Sequence, residues 1–263
     1  DSYQHTMITQ LLLDHGGLFQ SWEPYAPLTT FTYHFGFHSV VAAFCWLTGL
    51  EATQAVIWVG QILNGLAVST LYALSLRVSG NRWAGTITVL VAGLLSPMPM
   101  FYVNWGRYTQ LTGQTILPVA IFLTWTAFET LRPNRRLFWL NWIIVGGLAL
   151  SHYRILIFYV VFVFTYFLLA IARRRYRIAC ARVIWVGIGG LLLFLPWFMH
   201  TYGGAIVQTL IRELRTVHAQ LSDFERGSNA VGDILQYLPS GVWLFWAIAV
   251  VSGLWKHSFN TLL

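Results

Sequence analysis

Residues 155–182 read ILIFYVVFVFTYFLLAIARRRYRIACAR, and this stretch decides the class of fold. From Ile155 to Ala172 no side chain is charged, and the run of 18 residues falls within the roughly 17–25 that a helix needs to cross a hydrocarbon core. Arg173, Arg174, Arg175, Arg177 and Arg182 follow at once. An apolar run stopped by a basic cluster is the pattern of a span that ends on the cytoplasmic side. Working outward, the same reading gives six further spans, at roughly 53–77, 83–103, 115–131, 137–151, 183–200 and 240–255.

Composition agrees. Of 263 residues, 57% are hydrophobic and only 10% are charged, against about 25% charged in soluble domains. The mean hydropathy is +0.61. A soluble globular enzyme and a disordered tail are excluded. So is a nucleic-acid binder, despite a net charge of +7, because the basic residues sit in short clusters between apolar runs. The 13 tryptophans suit a protein with interfacial rings. Cys45 and Cys180 have neither disulfide nor metal spacing. The expectation is an all-α, polytopic membrane protein: one transmembrane domain over residues 1–263, with about seven transmembrane helices and amphipathic juxtamembrane helices on the outer face. A chain that opens on Asp1 and stops at Leu263 without a tail reads as a fragment of a longer protein.

The basic clusters set the orientation. Placing Arg77, Arg82, Arg132, Arg135, Arg136, the 173–182 group and Lys256 inside leaves five basic residues outside: Arg107, Arg154, Arg212, Arg215 and Arg226. Only one acid, Glu129, is then inside, three residues before Arg132, where the two are expected to pair. The first 51 residues contain no Lys or Arg and four acids. Residues 1–50 are therefore expected to form a first outer loop, with a juxtamembrane helix over 34–50 that does not cross. Its opening, residues 1–15, is amphipathic, with Tyr3, Met7, Ile8, Leu11 and Leu12 as the apolar face. A second outer loop, 201–239, carries another amphipathic helix.

Polar chemistry collects on the outer side, where seven of the eight histidines fall. Asp1 and His5 are four apart and share a helix face. They read as a general base or a metal-holding carboxylate with His5 as its orienting partner, or as a solvated polar face. His34 and His38 are also four apart, a spacing that can hold a metal, although no Glu follows His34 as it does in the zinc-protease helix. In the polar loop 104–114, Arg107 suits a bidentate grip on phosphate, and Trp105 and Tyr108 suit stacking on a sugar ring. His152 and Arg154 supply a second cationic point. The plainer alternative for each is interfacial anchoring, since a charge at the bilayer centre costs at least about 2.5–3.5 kcal/mol.

The arrangement resembles the GT-C superfamily, multi-span glycosyltransferases that use polyprenyl-phosphate-linked sugars. The likeness rests on Asp1-Ser2-Tyr3-Gln4-His5, on Tyr33-His34-Phe35-Gly36-Phe37-His38, and on Trp105-Gly106-Arg107-Tyr108 through Pro118, and it covers roughly residues 1–200. It implies Asp1 as the catalytic acid, with His5 beside it. His34, His38, Trp105, Arg107, Tyr108, His152 and Arg154 are then the substrate-binding residues. It further implies a prokaryotic cytoplasmic membrane with the active face outside, and as partners membrane lipid and a polyprenyl-phosphate sugar donor. Many members carry a second acidic residue in the next outer loop. Residues 104–114 have none, so no cofactor is assigned and a divalent metal stays open. The competing classes are a non-catalytic subunit of a larger membrane complex and a lipid or small-molecule transporter. Against the transporter, no span carries a charge at mid-depth.

Overall fold

The computed structural model describes residues 2–29, 31–130, 134–172 and 177–202, and all regular structure among them is helical. Asp1, Arg173–Arg175, the helix expected in 201–239 and the span expected at 240–255 lie outside the described residues.

Two short helices come first, α1 (Ser2–Asp14) and α2 (Gly36–Thr48). Then follow α3 (Ala52–Ser79), α4 (Arg82–Leu90) with a π-helical turn at Val91–Leu95, and α5 (Met100–Asn104). The rest are α6 (Tyr108–Glu129), α7 (Arg135–Ser151), α8 (Tyr153–Ala172) and α9 (Arg177–Tyr202). Four stretches are long and apolar enough to cross a membrane: Ala52–Ser79, Arg82–Asn104, Tyr108–Glu129 and Cys180–Thr201. The expected spans at 137–151 and 155–172 are helices as well. However, α7 has 17 residues, and the apolar part described in α8 is Tyr153–Leu168. The 13 residues of α2 rise only about 20 Å, short of a hydrocarbon core of about 30 Å.

The helices alternate between two ends. At one end α3 stops on Gly80, in left-handed geometry at φ 66° with its N–H on the Leu76 carbonyl. Asn81 caps α4 by accepting from the Trp83 N–H at 2.9 Å. Asn134 caps α7 by accepting from Arg136 and Leu137 N–H. Glu129 pairs here with Arg77 and accepts from Trp125 Nε1 at 2.5 Å; Arg132, its expected partner, lies outside the described residues. Arg182, from α9, donates to the Ala127, Phe128 and Thr130 carbonyls at the C-terminus of α6. The other end holds the starts of α3, α6 and α8, the end of α7, and Trp197 of α9, whose ring lies 5.7 Å from Phe31. Arg107 and Arg154 are at this second end, and Arg77, Arg82, Arg135, Arg136 and Arg182 are at the first.

Between the ends, the helices are joined by close approach and by one buried polar group. Gly146 and Gly190 let α7 and α9 touch: a Cβ on Gly190 would lie 2.6 Å from Val145 Cγ1 and 3.8 Å from the Gly146 nitrogen. Thr124 of α6 donates to Asn141 Oδ1 of α7 at 2.8 Å and shares a 2.8 Å bond with Tyr159 of α8. Asn141 in turn donates to the Leu137 and Leu123 carbonyls.

Two expectations are corrected. The buried face of α1 is His5, Ile8, Thr9, Leu11 and Leu12, while Tyr3 is 79% exposed. The helix is rotated so that His5 and Thr9 take the inward face and Tyr3 leaves it, while Met7 stays half-buried against the core. Also, α6 starts at Tyr108 instead of near 115, so Pro118 sits inside the helix instead of near its end. Neighbouring helices make such a proline tolerable in a span.

Candidate functional site

Four segments meet at the second end. Its centre is α1, whose first turn rests on the loop before α6. Gly106 is in left-handed geometry at φ 66°, and a Cβ there would lie 2.8 Å from the Ser2 nitrogen. Only glycine lets the two chains come so close. On the other side α2 begins at Gly36, where a Cβ would lie 2.9 Å from Ser151 Cα, so α2 starts directly on the last residue of α7. His152 alone separates α7 from α8, in extended geometry at φ −165°. Gly113 brings α6 to the same point, because a Cβ on it would lie 3.1 Å from His152 Cβ.

This assembly buries four histidines together. His5 Nδ1 and His38 Nε2 are 2.9 Å apart. Which of the two rings donates depends on their tautomers. Phe37 and Tyr108 enclose the pair, with ring centroids 5.5 and 5.8 Å from His5. His34 stacks on Tyr33 at 4.0 Å and meets His152 edge-on at 4.8 Å. The Tyr33 hydroxyl reaches Thr109 Oγ1 at 3.5 Å.

Burial keeps all four imidazoles neutral. It pushes His5 down to about 4, and His34 down to about 3 with a further push from His152. His38, fully enclosed, lies well below the ordinary histidine value. His152 is lowered to about 4, first by burial and then by the guanidinium charges of Arg154 and Arg107. Both arginines are themselves exposed and act on the same ring. Both nitrogens of His34, Nδ1 of His38, Nδ1 of His152 and the Thr9 hydroxyl are buried without a hydrogen-bond partner among the described residues. A buried polar group left unpaired costs about 1–3 kcal/mol, so five such atoms on four residues in one place mark a site that is polar by construction.

Of the residues singled out from sequence, His5, His34, His38, Tyr108 and His152 converge in the interior, and Arg107 and Arg154 lie at the rim. Trp105 is on the rim too. Its ring lies 5.2 Å from the Arg107 guanidinium and packs edge-on against Phe101 at 4.3 Å. Asp1 lies outside the described residues. The loop expected over 104–114 is shorter than expected, because Tyr108–Gln114 already belongs to α6, and Tyr108, Thr109 and Thr112 turn inward. The His34–His38 spacing does not make a metal site, since His38 Nε2 is engaged with His5 and the His34 ring lies on Tyr33. Among the described residues no three His, Cys, Asp or Glu side chains are disposed to hold a metal ion. Gly106, Tyr33, Thr109 and Thr9 belong to the site without having been selected. The left-handed glycine beside Arg107 was the one signal for them in the sequence.

The fold and site define a helical membrane-type protein with a buried, neutral histidine cluster at one end of its spans. The chain belongs to a family of unknown function, DUF6541, whose family model matches residues 1–256. No curated protein and no solved structure matches it.

Proposed function

We propose that the protein is a membrane glycosyltransferase of the GT-C type that takes its sugar from a polyprenyl-phosphate donor. The observation that supports this reading is that Arg107 and Arg154, both exposed at the rim, both bear electrostatically on the buried His152, at the end of the helices where this reading puts the lipid phosphate. Two guanidinium groups at the rim suit a phosphate. A neutral His152 beneath them adds no competing charge, and a ring nitrogen without a partner is able to donate to a phosphate oxygen. His34 fixes the orientation of His152 from behind.

In this reading the seven expected spans place the histidine end outside, and α1 and α2 lie along that surface. Asp1 takes the proton from an acceptor hydroxyl, whose oxygen forms the new bond to the anomeric carbon. The bond from that carbon to the donor phosphate breaks, and the polyprenyl phosphate leaves with the electron pair. Arg107, Arg154 and His152 stabilise the charge that develops on it. The contact of Ser2 with Gly106 supports the placement, since the head of α1 then starts beside Arg107. The test is sugar transfer from a polyprenyl-phosphate donor by the purified protein. Wild type should turn over, and Asp1→Asn, which cannot accept the proton, should not. Equal rates for both would remove Asp1 from the mechanism.

A further inference from the structure

On the opposite face of α1 from the histidines lies a groove of about 570 Å³, closed on its far side by the corner between α2 and α3. Small-molecule sites commonly fall between about 300 and 1,000 Å³. Its floor is apolar, with Met7, Leu13 and Leu50, and its walls carry Tyr3, Thr6, Gln10, Tyr25, Glu51 and Thr53.

The walls have a definite chemistry. Tyr3 and Tyr25 are 79% and 45% exposed, so their rings stand out from the protein. Gln10 is held by its Nε2, which donates to Asp14 at 2.7 Å, and its amide oxygen is left to accept. Glu51 stands at the N-terminus of α3 yet makes no capping bond to that helix, so its carboxylate is not consumed there. Among the described residues Glu51 is the one acidic side chain lining the groove, and no basic side chain lines it. An anionic headgroup or phosphate is therefore disfavoured here, and the arginines that suit one lie at the rim of the histidine site.

We infer that this groove binds a neutral saccharide. Protruding rings suit the apolar faces of a pyranose. The Gln10 amide oxygen, the Thr53 hydroxyl, the Thr6 hydroxyl as an acceptor while it donates to the Ser2 carbonyl, and an acceptor-only carboxylate suit its hydroxyls. Its role as the acceptor sugar rests on the transfer reading above, because α1 then separates an uncharged acceptor groove from a cationic donor site. The saccharide binding itself does not depend on that reading.

The experiment uses the protein in lipid nanodiscs, free of glycoside detergents. Saturation-transfer NMR is recorded with maltose, mannobiose, galactobiose and N-acetylglucosamine, with tetramethylammonium and inorganic phosphate as comparison probes. At least one of the saccharides should bind. Tyr3→Ala and Tyr25→Ala should each weaken it about tenfold, as truncation of an aromatic anchor does. Glu51→Gln should weaken it less, and Arg107→Ala should leave it unchanged. Tyr3 is so exposed that its truncation leaves the fold intact. No binding by any of the four sugars, equal binding in the Tyr3→Ala and wild-type proteins, or binding of tetramethylammonium in place of the sugars would each overturn the assignment. Saccharide binding that persists in a protein without donor-lipid transfer would sink the transfer reading and leave the groove standing.

Discussion

His34 shows most clearly what the site requires of a single residue. It is buried, both its ring nitrogens lack partners among the described residues, and its folded-state value is about 3 against 6.5 when free. The unfolded chain therefore takes up a proton between about 6.5 and 3 that the folded chain refuses, and each unit of such a shift is worth about 1.4 kcal/mol. Stability is full above the ordinary histidine value and falls as the pH drops through this window. His5 and His152, both near 4, act in the same direction. Thermal unfolding in nanodiscs should move to lower temperature from pH 7 to pH 4.5. His34→Gln, which cannot titrate, should show a shallower decline. A slope identical to wild type in that variant would mean that His34 is already protonated, or already solvated, in the folded protein.

At the scale of elements, the Thr124–Asn141–Tyr159 group ties α6, α7 and α8 together below the site. Asn141 is fully buried and has no alternative partner in an apolar surrounding. Hydrogen bonds between membrane helices average about 0.6 kcal/mol and reach about 1.7. Asn141→Leu removes several of them and leaves Thr124 and Tyr159 to each other, so a loss of about 1–2 kcal/mol is expected in reversible unfolding. An unchanged stability would show that the group is ornamental. The class of these helices was legible from the sequence, because uncharged runs between arginine clusters allow little else. The rotation of α1 was not. Periodicity finds a helix with two faces, but Tyr3 and Met7 compete with His5 and Thr9 for the inward face, and only the aromatic enclosure by Phe37 and Tyr108 decides for His5. The start of α6 was hidden for a related reason. Tyr108, Thr109, Thr112 and Gln114 look like a polar loop, yet their polar groups serve a buried helix: Thr112 and Thr115 bond back to the carbonyls of Tyr108 and Leu111. The histidines of the site were visible one by one in the sequence. Their partners were not, because His38 meets His5 across 33 residues.

Across the described residues, the outward faces of the spans are apolar. Leu94 and Leu95 are 77% and 68% exposed, and no residue in the most apolar part of Arg82–Asn104 is buried, as suits a helix that faces lipid. Among the described residues charge gathers at the ends, and at the histidine end it lies over a buried polar cluster. The central claim is that this end holds a lipid phosphate, and its most direct test is the binding of polyprenyl phosphate to the protein in nanodiscs. A charge-assisted bond is worth about 1.5–3 kcal/mol, so Arg107→Ala and Arg154→Ala should each weaken binding by about ten- to a hundredfold. Arg107→Lys should weaken it as well, because lysine lacks the planar fork. Wild-type affinity in both alanine variants would contradict the account and leave the two arginines as interfacial anchors.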